Sequence, residues 1–208
     1  MTRAEWQAAI RFLHRLSACV VVIFIVAHLA NHLIGLGGQQ AHRDTLLALR
    51  SIYRNPVVEL ILLACFVWQG LSGFYLVVAG WSARRGLIAW AQAASGFTLA
   101  TFVVIHVSAV FAGRASGLDT DLRFAAAGFQ VSGWPFFFAP YYFLAVSAVF
   151  IHLGAAGYWL LGAGRQGAST FWFTGLLGLT VALLIVLMLA GRFYPMVIEA
   201  PYIVPFVK

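Results

Sequence analysis

The chain has 208 residues, 62% of them hydrophobic and only 9% charged, with a mean hydropathy of +0.92. That composition excludes a soluble globular domain and points to a protein whose solvent is the bilayer. The net charge of +7 could suit nucleic acid, but the 13 Lys and Arg fall in loops and termini rather than along one basic face. It reads as membrane-surface charge, and no nucleic-acid partner is expected.

Five continuous apolar runs, about 11–36, 56–80, 87–113, 138–163 and 170–191, are each long enough to cross a hydrocarbon core about 30 Å thick. Continuous rather than alternating hydropathy excludes a barrel and predicts an all-α integral membrane bundle of five spans in the lipid bilayer. The first run is too long for a cleavable signal, carries His28, Asn31 and His32, and is expected to stay in the membrane. Before it, residues 3–15 mix Trp6, Ile10, Phe12 and Leu13 with Arg3, Arg11 and Arg15, a pattern for lying at the interface before turning in.

The first helix is expected to stop at Gly37-Gly38, and Asp44-Thr45 to cap a short amphipathic helix carrying Leu46, Leu47, Leu49 and Ile52. Asn55-Pro56 supplies an N-cap and first helical residue for the second span. The third span holds Ser95, Gly96 and His106. Residues 114–137 read as the least regular stretch, with aromatic anchors at the interface, and the fourth span starts at Pro140. The tail, 192–208, has three prolines that forbid a continued helix, yet it is rich in Tyr, Phe, Val and Ile. It is expected to pack on a partner or the membrane surface, so that truncation would release the protein from a complex and leave the bundle intact.

With the termini of span one taken as the reference, Arg3, Arg11, Arg15, Arg84, Arg85 and Arg165 crowd short segments on its N-terminal side. Arg43, Arg50, Arg54, Arg114, Arg123, Arg192 and Lys208 are spread over longer segments on the other. The density favours an N-terminus in the cytoplasm and a C-terminus outside a cell (inner) membrane. Cys19 and Cys65 lie at different depths and read as packing residues, and no Cys-x-x-Cys-His exists to attach haem covalently.

Histidines inside such spans are costly and functional by default. Ser17-Ala18 precedes His28 by eleven residues, and Ser95-Gly96 precedes His106 by eleven, three turns and one face of a helix. Ser72-Gly73 aligns with Ala156-Gly157, and that register sets Trp68 against His152. Spans one and two therefore look like a weak duplicate of spans three and four, giving a four-helix core with a fifth, peripheral span. Counted along the helices, His28 lies about 25 Å from the N-terminal side and His106 about 28 Å, level with each other. Two level imidazoles with small neighbours suit axial ligation of a haem iron. The plainer alternative is that both only hydrogen-bond neighbouring helices. His28-x-x-x-His32 could alternatively hold a divalent metal, with His106 as a further ligand.

The chain resembles the single-chain, five-span cytochrome b membrane-anchor subunits of succinate dehydrogenases and fumarate reductases. The resemblance rests on Leu13-His14-Arg15-Leu16-Ser17, on His28 and His106, on His152 with Gly157, and on their spacing. It implies a distal haem b on His28 and His106, with His152 as half of a proximal pair whose second-span histidine is replaced by Trp68. The proximal haem is therefore expected to be absent or held on His152 alone, and one haem per chain is expected. His14 and Arg15 match positions near the family's cytoplasmic quinone site. The reading implied is a non-catalytic b-type cytochrome subunit that passes electrons between a peripheral redox partner and the quinone pool within a larger membrane complex. Alternatives are a haem-free structural subunit of a respiratory or photosynthetic complex, and a His-based metal-binding membrane protein.

Overall fold

The computed structural model describes residues 2–207. Its elements are α1 (Arg3–Ile34), α2 (Gln39–Tyr53), α3 (Pro56–Ala79), α4 (Leu87–Ala115), α5 (Leu122–Ala126), α6 (Pro135–Leu160), α7 (Arg165–Leu189) and α8 (Ala200–Ile203). Of these α1, α3, α4, α6 and α7 are long and apolar enough to cross a membrane, so this is an all-α, multi-pass membrane protein. The end of the bundle that carries the start of α1 is the N-side here, and the opposite end the far side.

Helix α1 is one unbroken element because nothing between Arg3 and Ile34 is Gly or Pro. The interfacial turn expected over residues 3–15 is therefore absent. Thr2 and Glu5 close a capping box at its start, and 32 residues span about 48 Å, so its first turns project beyond the hydrocarbon. At the far end Gly38, with φ of 122°, turns the chain and starts α2 at Gln39, ahead of the expected Asp44-Thr45 cap. Asp44 instead accepts from Gln40 Nε2 inside the helix. Asn55 caps α3 as expected, its side chain accepting from the Val57 N–H with Pro56 as first residue. Pro135 rather than Pro140 opens α6, and Pro140 lies within it. Residues 114–137 are more ordered than their composition suggests: Asp121 caps α5, and Leu122, Ala126, Ala127 and Gly128 are buried.

Packing divides the spans into α1 against α3 and α4 against α6, with α7 laid along α6 and only sparse contact between the two groups. The fifth span is outside the repeat but not peripheral. Val181, Ala182, Ile185, Met188 and Leu189 of α7 join Val146 of α6 and Leu122 and Ala126 of α5 in the most buried cluster of the chain. Close approach explains it: a Cβ on Gly167 would lie 2.7 Å from the Tyr158 carbonyl oxygen, and one on Gly178 would lie 2.3 Å from Phe150 Cβ.

On the far side an ion-pair belt ties α2 to the segment before α5 and to the tail. Arg50 meets Asp119 at 2.6 Å, Arg43 meets Asp121 at 3.6 Å, and Arg123 bridges Asp121 and Glu199 at 2.6 and 2.7 Å. The tail lies over this end of its own bundle. The Tyr194 hydroxyl donates to the Gly35 carbonyl at 2.5 Å, Gln39 exchanges hydrogen bonds with Val197, and Phe206 packs on Trp134 and Phe138. Met196 and Ile198 rest on the buried cluster, and Tyr202 is buried. Burying each large apolar side chain stabilises by about 1.5–3 kcal/mol. Truncation after Arg192 is therefore expected to lower the thermal midpoint of the purified bundle in detergent by many degrees. An unchanged midpoint would show that the tail contributes nothing to the bundle.

Candidate functional site

Four of the six histidines gather toward the far side. His28 and His106 project from α1 and α4 with ring centres 6.2 Å apart and planes at 70°. Both are largely enclosed by protein and keep only part of their surface accessible. Neither makes a hydrogen bond to the described residues, whereas His14, His42 and His152 all do.

The level pairing expected from helix rise is thus realised, and it comes with a symmetry that the sequence reading overlooked. Phe24 lies one turn before His28 and stacks on it at 5.6 Å and 16°. Phe102 lies one turn before His106 and stacks at 5.0 Å and 15°. Ser17, Phe24 and His28 recur as Ser95, Phe102 and His106, each 78 residues on, so the phenylalanines were visible in the repeat once its register was known.

His32 sits edge-on to His28 at 4.8 Å and 88°, and on its other side 5.2 Å from His42 of α2. His42 is 2% exposed and bonds through Nε2 to Asn31, itself 2% exposed; Asn31 Oδ1, His32 Nδ1 and His42 Nδ1 are buried without partners. Among the described residues no three His, Cys, Asp or Glu side chains converge as a metal-ion site, so His28, His32 and His106 are neighbours without being a three-ligand cage. His42, absent from the sequence reading, enters because Gly38 folds α2 back over the end of α1.

Burial pushes the His42 pKa down to about 4; the charges of His28 and Arg50 act the same way and Asp121 opposes them. A base whose folded pKa lies below its unfolded value of about 6.5 is neutral in the fold and takes up its proton on unfolding. Its contribution is complete above pH 6.5 and is lost as pH falls toward 4, by about 3 kcal/mol at most. Thermal midpoints in detergent are expected to fall between pH 7 and pH 5, and His42→Gln to flatten that fall. A slope unchanged by the substitution would assign the pH dependence to other groups.

The second constellation lies in the N-side half. His152 Nδ1 donates to the Gln92 carbonyl and the Ser95 hydroxyl, both at 3.1 Å, while Ser95 passes its own proton to the Gln92 carbonyl. The other half of the repeat repeats this pattern with a different residue. Gln69 Nε2 donates to the His14 carbonyl and the Ser17 hydroxyl, both at 2.6 Å, while Ser17 passes its proton to the His14 carbonyl. His14 corresponds to Gln92 and Ser17 to Ser95, again 78 residues apart. Gln69, and not Trp68, therefore stands where His152 stands in its own half. The sequence register for α3 was off by one residue, and the Trp68 indole N–H is left buried without a partner.

Ser17 and Ser95 accordingly serve this N-side constellation and do not reach His28 or His106. His14 turns into the bundle, where its Nδ1 donates at 2.7 Å to Ser72, whose hydroxyl proton goes to the Trp68 carbonyl. That arrangement leaves His14 Nε2 free, as the bonds of His152 leave its Nε2 free. Arg15 is exposed and does not join His14.

A haem between His28 and His106 is tested by spacing. Metal–imidazole bonds of about 2.0–2.1 Å place two opposed ring centres about 6 Å apart, which the observed 6.2 Å meets. The donor chemistry fits as well, because both rings are free of hydrogen-bond partners and come from two helix pairs that make only sparse contact with each other. The N-side constellation is not symmetric in this way: His152 stands in one half of the repeat and the Gln69 carboxamide at the corresponding place in the other. Comparison with protein-family models, with curated proteins and with solved structures finds no match for this chain, so its function is read from the side chains that the fold brings together.

Proposed function

We propose that the protein is a b-type cytochrome membrane subunit. It carries electrons between a peripheral redox partner and the quinone pool as a non-catalytic part of a larger complex in a cell (inner) membrane, with its N-terminus in the cytoplasm. The observation that carries this reading is the pair His28 and His106, unbonded, level and 6.2 Å apart on two helix pairs. A haem b held there supplies one-electron exchange at its iron. The chain's own residues do the rest. His28 and His106 would hold the iron through their imidazole nitrogens, and α2 and the folded-back tail cover the far end of the bundle. On the N-side, donation through Nδ1 leaves Nε2 of His14 and of His152 as acceptors, suited to take a hydrogen bond from a quinol hydroxyl.

A reduced-minus-oxidised spectrum of the protein purified from haem-replete cells tests this directly. An α-band typical of low-spin haem b is the expected result, and its absence leaves the haem-free structural reading. The stoichiometry follows from Gln69: a pyridine haemochrome assay is expected to give one haem per chain. Gln69→His, which restores an imidazole opposite His152 in the repeat, is expected to raise the content above one. Two haems in the parent protein would contradict the assignment.

A further inference from the structure

We propose that Phe24 and Phe102 are positioning residues that hold the two ligand imidazoles nearly perpendicular to each other; this inference rests on the haem reading above. Each lies one helical turn before its histidine, where side chains four residues apart meet. Each lies nearly parallel to that ring and offset from it, Phe24 at 5.6 Å and 16° from His28 and Phe102 at 5.0 Å and 15° from His106. An offset parallel neighbour this close restricts rotation of the imidazole about its Cβ–Cγ bond, because turning the ring brings its edge against the phenyl ring.

The phenyl rings are held in turn by other helices. Tyr53 of α2 and Phe66 of α3 meet Phe24 edge-on, at 5.5 and 6.0 Å. Tyr141 and Tyr142 of α6 meet Phe102 at 4.7 and 6.3 Å. His32 closes the remaining side of His28 at 88°. Each imidazole plane is thus set by its own half of the repeat and braced by a neighbouring helix. The angle between the two planes, 70°, is a product of how the halves meet.

That angle has an electronic consequence. In a low-spin ferric centre each imidazole donates from a π orbital normal to its ring. Parallel rings raise one iron d orbital above its neighbour, whereas perpendicular rings raise both alike. Near-degeneracy gives a strongly anisotropic electron paramagnetic resonance spectrum dominated by one low-field feature. Parallel rings give a rhombic three-line spectrum with a smaller largest g value.

The test uses the full-length oxidised protein, with the α-band recorded on the same samples. The parent protein is expected to show the single low-field feature. Phe24→Leu and Phe102→Leu keep apolar bulk but remove the flat face, and the double variant is expected to shift intensity to a rhombic signal with a lower largest g value. Phe24→Tyr and Phe102→Tyr are expected to keep the parent spectrum. A parent-like spectrum in the double Leu variant with its α-band intact would overturn the proposal. So would loss of the α-band from the Leu variants, because the phenyl rings are assigned orientation and not retention. A rhombic parent spectrum would contradict the perpendicular arrangement itself. Absence of an α-band in the parent would instead remove the haem reading, and this inference with it.

Discussion

Replacing either His28 or His106 with Ala is expected to abolish the visible haem spectrum, whereas His32→Ala leaves it in place. The two rings oppose each other from α1 and α4 at a spacing that matches a six-coordinate metal, and each is the sole contribution of its helix to that position. Removing one leaves a single axial nitrogen and a cavity the size of an imidazole. His32 lies nearer to His28 than His106 does, 4.8 against 6.2 Å, but it sits one turn on along the same helix, where it cannot oppose it. The comparison among the three variants therefore separates ligation from proximity. Folding of each is checked by its elution as a monodisperse species in detergent. A normal α-band in both the His28 and His106 variants would refute the assignment.

The second large effect is expected where α6 and α7 meet. Gly167→Val must push a side chain into the Tyr158 backbone, and Gly178→Leu into the Phe150 side chain at its root, so neither neighbour can step aside cheaply. Overpacking of this kind costs about 1–3 kcal/mol or more per site, and without a hydrophobic force between helices in lipid, close approach is what holds the pair. Both variants are expected to lose most of their folded yield and to aggregate well below the parent's thermal midpoint. Gly175→Ala on the same helix meets nothing within 4 Å and is the control that should behave as the parent does. Equal stability of all three would mean that the glycines do not set the helix separation.

The five spans were legible because hydropathy is a property of composition over twenty residues and does not depend on which way a helix faces. The level of His28 with His106 was legible because helix rise is nearly constant. Helix rotation was not legible. One residue is 100° of turn, so assigning Trp68 instead of Gln69 to the place opposite His152 faces the wrong neighbour. Only packing of α3 on α1 resolved it, through the two hydrogen bonds from Gln69. The tail's place was not legible for a different reason. Its apolar residues needed a cover, and nothing local distinguishes the far end of its own bundle from the surface of another chain. The importance of α7 was written in Gly167 and Gly178, eleven residues apart on one face, but glycine spacing carries meaning only once the helix it meets is known.

The mirrored residues bear on how such a site could change over time. Two copies of one two-span unit, related by an axis along the membrane normal, would present His28-like and Gln69-like positions in identical pairs. In a homodimer of that kind every substitution is made twice, so no position could become a ligand on one side and a carboxamide on the other. A single chain that carries both copies escapes that constraint. Its far-side half has kept the matched set of phenylalanine and histidine, while its N-side half carries His152 against Gln69. Carrying both units in one chain is thus what permits one half of the bundle to be symmetric while the other is not.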